Sequence, residues 1–360
     1  MAWKVIDGDG HVMENWRELV EYMPEAYRKI GRFQGQGRLF PPLDHLHGGT
    51  LYSVPPGSFR KVNASDWLEF MDDVGIEKAV LYGTEGLSFG KVITSEFAVD
   101  GARAYNNWLR DAYLKKSPRF QCLGLIPLQE PEEAVAELRR VVTELGFCGA
   151  LIPSTGFKGH LGGKEYWPVY READRLGCCL AIHGGAHEGL GMDWLTPFAP
   201  VNALGHPFGL MVAFAGIVFN GIFDKFPNAR IGFMEGGASW LQMCMERFER
   251  AWETHIQYDP KGEYVQLRDG ESVADYLRRH IAAGRIFVGC EGGEPTLSYI
   301  LDYIGRNPFI FSSDFPHEVN NERCKHELSE IVENPKLAES DKHAILYANA
   351  ERFYHLSPTR

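Results

Sequence analysis

Eight short apolar runs punctuate this chain, and segments of helical periodicity separate most of them. The runs are WKVID (3–7), IEKAVLYG (76–83), FQCLGLIPL (120–128), FCGALIP (147–153), CCLAIHG (178–184), ARIGFMEG (229–236), RIFVGCEG (285–292) and NPFIFSSDF (307–315). Most are nearly continuous rather than alternating, the pattern of strands covered on both faces of a parallel sheet. Between them, 132–145 opens after Pro131 and stops at Gly146, and 167–176 stops at Gly177. Residues 239–252, 274–283, 295–304 and a C-terminal 341–356, capped by Ser340 or Asp341, complete the helical set. Eight strand–helix repeats predict a single α/β domain over 1–360, a distorted (β/α)₈ TIM barrel. The competing doubly wound sheet places a glycine-rich phosphate loop after its first strand. DGDGHV fits neither that fingerprint nor a P-loop.

Three stretches are too long for plain connections: about 15–63, 185–228 and 253–272. In a barrel, such insertions on the C-terminal side of the strands build the substrate pocket. The aromatics Phe33, Phe40 and Tyr52 of the first either wall an apolar pocket or pack the loop onto the barrel. Net charge is −11 over 360 residues, which argues against nucleic acid or an anionic membrane as partner. No run of about 18 apolar residues marks a membrane span, and the N-terminus lacks a secretory signal. The seven cysteines are scattered and mostly inside apolar runs, with no C-x-x-C pair. They read as reduced thiols of a cytoplasmic protein.

A barrel demands catalytic groups at the C-terminal ends of several strands. Strand 1 runs into Asp7-Gly-Asp9-Gly-His11. Strand 5 ends in His183, strand 6 in Glu235, strand 7 in Glu291 and strand 8 in Asp314, with His317 close behind. Residues i and i+2 of extended backbone point the same way, so Asp9 and His11 aim at one point. With His183 and Asp314 they form an N/O set suited to Zn²⁺, Mn²⁺ or Fe²⁺, with a position left open for water or substrate. Alone, each has a plainer reading: D-x-H a polar turn, His183 a bonded core residue, Asp314 a helix cap. The joint pattern favours the metal.

The chain resembles the amidohydrolase superfamily, in particular its branch around aminocarboxymuconate-semialdehyde decarboxylase and related aromatic-acid decarboxylases. The resemblance rests on D-x-D-x-H-x-x-E, GLIPLQEPEEAVAELRRVVTELGFCGALI, AIHGG, HPFGLMVAFAGIVFNGIFDKFPNARIGFMEGGASWLQMCMERFER, FSSDFPH and ILYANAERFYHL, spread over nearly the whole length. It implies a divalent metal at the C-terminal face and a homodimer. Asp9-Gly-His11 matches the family's H-x-H pair, with a carboxylate for the first histidine. His183 matches the fifth-strand ligand, and Asp314 the eighth-strand aspartate, both ligand and base. Two departures stand out. Pro153-Ser154 replaces a bridging lysine after strand 4, and Glu235 stands where many relatives carry histidine. The expected chemistry is non-oxidative decarboxylation or hydrolysis of a small, aromatic or cyclic acid, with Asp314, Glu235 and His206 as catalytic candidates.

Two other readings stay open. His206, Glu235, His187 and Glu294, with Glu291 nearby, could hold a second ion and make a di-iron oxygenase. Against this, His206 reads equally as a cap at the start of the HPFG helix. A non-catalytic metal-binding barrel is the other. Asp7 reads as strand-end structure or support for a ligand, and Glu14 as a supporter or a candidate for the second ion. Trp240 and Arg247 read as packing and ion-pair residues. Lys158, Arg60 and Arg38 are carboxylate-binding candidates with an equally good reading as solvated loop charges.

Overall fold

The structure is a computed structural model that describes residues 3–29, 39–43, 53–255, 258–305 and 307–356. Phe33, Tyr52 and Arg38 lie outside them. Eight parallel strands run in chain order around one barrel: β1 (Ile6–Val12), β2 (Lys78–Gly83), β3 (Phe120–Leu125), β4 (Gly149–Pro153), β5 (Cys179–His183), β6 (Arg230–Met234), β7 (Ile286–Cys290) and β8 (Phe309–Phe311). Each pairs with the next in parallel register, from Ile6 with Lys78 round to Cys290 with Phe311. The last gap closes beyond the end of β8, where Asp314 N donates to Asp9 O (3.0 Å) and His11 N to Phe315 O (2.8 Å).

The covering helices are α1 (Ala64–Val74), α2 (Ser95–Ala112), α3 (Pro131–Arg140), α4 (Trp167–Leu176), α5 (Ala199–Phe219), α6 (Ser239–Thr254), α7 (Val273–Ala282), α8 (Leu297–Ile304) and α9 (Asn321–Val332). Their ends follow local chemistry. The Asn63 carboxamide accepts from Ser65 N and Asp66 N, and Asp66 returns the bond to Asn63 N, a complete capping box for α1. A π-helical turn, Val141–Leu145, carries α3 on to Gly146, whose φ of 81° only glycine adopts cheaply.

Four boundaries differ from expectation. Strand 1, expected over 3–7, is Ile6–Val12, so Asp9 and His11 belong to the strand itself. Its pairing with β2 is irregular between Asp7 and Gly10. The supposed insertion 185–228 is largely the barrel helix α5, and His206 sits in its middle rather than at its start. Pro207 inside this helix costs the bond to the residue 203 carbonyl, but Ala203 is exposed and water can take that carbonyl. The C-terminal helical segment starts at Glu339, and the Asp341 carboxylate accepts from Ala338 N (3.2 Å). α5 has 21 residues and an 18-residue stretch of mean hydropathy 1.6, by length and composition enough to cross a membrane. One face is spent on the barrel instead: Phe214 packs edge-on against Phe233 of β6 and Trp240 of α6.

Aromatic side chains fix the polar first strand. Trp67 is fully buried, its indole Nε1 donates to His11 O (3.1 Å), and its ring meets Phe315 edge-on. Phe70 stacks on Phe315 with ring centroids 3.7 Å apart. Both glycines of DGDGH answer to close approach. A Cβ on Gly10 would lie 2.4 Å from Trp67, and one on Gly8 2.2 Å from Ile310.

Candidate metal centre

Asp9, His11, His183 and Asp314 converge at the C-terminal mouth of the barrel. His11 Nε2 lies 3.5 Å from Asp9 Oδ1 and 3.3 Å from Asp314 Oδ1. His183 Nε2 lies 3.4 Å from Asp9 Oδ2 and 3.1 Å from Glu235 Oε2. Asp9, His11 and His183 are essentially inaccessible to solvent. Asp9 Oδ1, His11 Nε2, His183 Nε2 and Asp314 Oδ1 are buried without a hydrogen-bond partner. Native proteins rarely leave such atoms unpaired. Here they face one another at the spacing of donors around a cation, so the residues fit a divalent metal.

The electrostatics agree. Burial raises the Asp314 carboxyl well above its ordinary range, and Asp9 and Glu318 add to the effect. Burial, then the Asp314 charge, lifts Glu235 to about 8. Burial drives His11 well below its ordinary value, and the neighbouring imidazoles add to it. For His183 burial opposes the charged form, but Asp9 and Glu235 prevail and bring it to about 9. Clustered carboxyls that resist ionisation in a buried site are what a bound cation relieves.

The surroundings hold these ligands in place. Asp7 accepts from Ser313 Oγ (2.6 Å), Ser313 N (3.0 Å) and Asp9 N (3.2 Å), tying β1 to the loop that carries Asp314. His183 Nδ1 pairs with Gly184 O (3.1 Å), which leaves Nε2 for a metal. Glu14 serves as a supporter: it accepts from Glu85 N and Gly86 N and pins the turn after β2. Two members of the cluster have left-handed backbone, Glu235 (φ 60°) and Asp314 (φ 55°). Non-glycine residues pay about 1–3 kcal/mol for such strain, which concentrates at functional sites.

The proposed second-site residues are only partly brought together. His206 Nε2 is 3.8 Å from Glu235 Oε1, and the His187 and His206 rings meet edge-on at 5.1 Å. Gly184 allows this packing, since a Cβ there would lie 1.7 Å from His206 Nδ1. Glu294 is engaged elsewhere, its carboxylate accepting from Ala238 N (2.6 Å) and Glu291 N (3.0 Å). Among the described residues, the three-ligand groupings are Asp9–His11–His183 and His11–Asp314–His317. His317, expected only as a residue close behind Asp314, falls in the second of these groupings.

A cavity of about 590 Å³ opens above Asp314 and Glu235. Its wall includes His206, Asn202, Ser313, Glu291, Glu294, Glu318 and Glu327, and Arg323 is its one cationic side chain among the described residues. Arg60 lies instead over the Phe315 ring (5.7 Å), and Lys158 lines a separate cavity at the ends of β3 and β4. Trp240 is buried packing, and Arg247 is exposed.

A closed parallel barrel with a metal-binding set at its C-terminal mouth defines a metal-dependent TIM-barrel protein, and the chain belongs to the amidohydrolase family, whose profile it matches over residues 6–356. It is similar to 2-amino-3-carboxymuconate-6-semialdehyde decarboxylase of Dictyostelium discoideum, at 24% identity over 94% of this chain and 90% of the relative. It is also similar to gamma-resorcylate decarboxylase of Polaromonas sp., at 27% identity over 81% and 86%. Among solved structures, 5-carboxyvanillate decarboxylase of Sphingomonas paucimobilis superposes with a TM-score of 0.72 at 19% identity, covering 99% of this chain and 100% of that one. Dihydroxybenzoic acid decarboxylase of Polaromonas, solved with manganese and the inhibitor 2-nitroresorcinol, gives 0.66 at 20% identity over 99% and 98%.

Proposed function

We propose that this chain is a metal-dependent, non-oxidative decarboxylase of a small aromatic carboxylate. The observation that carries the reading is the convergence of unpaired buried donors on Asp9, His11, His183 and Asp314 beneath an open cavity. Family membership and the decarboxylases among the relatives support it. The acidic wall favours a substrate with one carboxylate and otherwise neutral, hydrogen-bonding substituents.

Asp9, His11, His183 and Asp314 would hold a single ion, with Mn²⁺ the first choice because decarboxylase neighbours contain it. When bound, that ion supplies Lewis acidity to the substrate carboxylate and an adjacent oxygen. Glu235 stands outside the ligand set at the cavity wall. Burial, which lifts its carboxyl to about 8, favours the protonated form. Glu235 is the general acid that protonates the ring carbon bearing the carboxylate. The C–H bond forms, the C–C bond breaks, and carbon dioxide leaves with no net redox change. The replacement proton comes from solvent, and His206, held neutral by burial and 3.8 Å from the other Glu235 oxygen, is placed to relay it.

Glu294 is committed to backbone N–H groups, so we take one ion rather than two. We propose a cytoplasmic setting, supported by seven free thiols, and a homodimer, supported by the exposed stripe Leu204, Phe208 and Val212 on α5. Carbon dioxide release from 2,6-dihydroxybenzoate and 5-carboxyvanillate, with metal-stripped and Mn²⁺-reconstituted protein, tests the reaction. No metal-dependent release from a panel of such hydroxybenzoates would overturn it.

A further inference from the structure

The His11–Asp314–His317 group has a geometry that hydrogen bonding does not account for. His317 is 6% exposed and its ring stacks on His11 with centroids 4.1 Å apart. Its Nδ1 lies 2.7 Å from Asp314 Oδ1. Yet Asp314 Oδ1 has no hydrogen-bond partner, because the approach lies off the N–H direction of the ring. His11 Nε2, 3.3 Å from the same oxygen, is also unpartnered. His11 Nε2 and His317 Nδ1 therefore both approach Asp314 Oδ1, and no hydrogen bond accounts for that oxygen.

The opposite edge of the ring explains which nitrogen carries the proton. His317 Nε2 lies 2.8 Å from Thr84 Oγ1, and the Thr84 hydroxyl itself donates to Met13 Sδ at 3.5 Å. With the Thr84 hydroxyl turned to sulfur, its oxygen is left to accept from His317 Nε2–H, the tautomer that a metal at Nδ1 requires. The Nδ1 lone pair is then bare on the side of Asp314. A ligating histidine has this arrangement, with one nitrogen fixed by an outside acceptor and the other turned to the metal. His183 shows it in mirror form, Nδ1 tied to Gly184 O and Nε2 bare. Both ligand groupings share His11, whose Nε2 faces Asp9 Oδ1 (3.5 Å) as well as Asp314 Oδ1 (3.3 Å), and one lone pair binds one ion. The two groupings thus describe a single site.

We infer that His317 Nδ1 ligates the same ion as Asp9, His11, His183 and Asp314, and that Thr84 is the positioning residue that sets the His317 tautomer. This holds whatever the substrate, so it stands or falls separately from the decarboxylase reading. Pulsed EPR on the Mn²⁺-loaded full chain, with ¹⁵N-labelled histidine, counts directly coordinated imidazoles. Three are expected in the wild type and two in His317→Ala. Two in the wild type would overturn the assignment. Should His317→Ala fail to fold, Thr84→Val serves instead. It is expected to lower Mn²⁺ affinity about 10- to 100-fold, with Thr84→Ser restoring it. Unchanged affinity in Thr84→Val would remove Thr84 from this role.

Discussion

Asp9 and His11 reach the barrel mouth from a strand fastened on every side, whereas Glu235 and His206 reach it from a strained strand end and the middle of a helix. On the β1–β8 side, Asp7 grips Ser313, Asp314 N and Phe315 O bond to β1, Trp67 holds the His11 carbonyl, and Phe70 stacks on Phe315. On the β5–β6 side, Glu235 Oε2 has no hydrogen-bond partner although His183 Nε2 lies 3.1 Å away, and His206 Nε2 stands 3.8 Å from Glu235 Oε1. The difference separates two duties. A metal ligand must be held within a fraction of an ångström, and its supports do that. A proton donor must stay protonated and meet substrate, which sparse bonding and burial allow.

The largest effect should come from breaking the loosely held side. Glu235→Gln is expected to lower kcat by about 10²- to 10⁴-fold while Mn²⁺ stoichiometry stays unchanged. Steady-state kinetics beside elemental analysis reads both, and loss of the ion would make Glu235 a ligand instead. On the tightly held side, Trp67→Ala should cost about 3–5 kcal/mol in urea unfolding, because it empties a fully buried site. It should also weaken Mn²⁺ binding through the released His11 carbonyl. Full affinity in a destabilised Trp67→Ala protein would mean that this anchor does not act on the ligand.

Glu14 gives the comparison a pH axis. Burial raises its pKa from 4.5 to about 7, against the backbone N–H groups that lower it. The folded state therefore binds the Glu14 proton more tightly than the unfolded chain. Its contribution is full below about 4.5 and is lost as pH rises through about 7. Wild-type stability relative to Glu14→Gln should fall by up to about 3 kcal/mol between pH 5 and pH 8. Denaturant titrations at the two pH values measure this, and a difference that does not move with pH would show that Glu14 does not titrate there.

The strands were readable because both faces of a parallel sheet are covered, so β3 to β7 appear as apolar runs. The first strand was misplaced for the opposite reason. IDGDGHV is wholly buried yet apolar only at its two ends, since Asp9 and His11 face the site, and no hydrophobic pattern can report that. His206 read as the cap of a helix opening at HPFG, but the helix α5 begins at Ala199 and accepts Pro207 inside. The ligand types at strand ends were legible singly. The role of His317 was not, because it depends on Thr84, more than two hundred residues away in sequence, and on the left-handed turn at Asp314.

Glu294 supplies the smallest expected effect and the sharpest check on one ion against two. Its carboxylate accepts from Ala238 N, next to the first residue of α6, and from its own neighbour Glu291 N. A carboxylate capping the N–H groups at a helix start is worth about 0.5–2 kcal/mol. Glu294→Ala should therefore lower stability by that amount and leave metal content and metal affinity unaltered. A variant that keeps its stability but drops from two equivalents of metal to one would reverse the assignment. It would also move Glu294, Glu235 and His206 from the proton-handling side of the mouth to the metal-holding one.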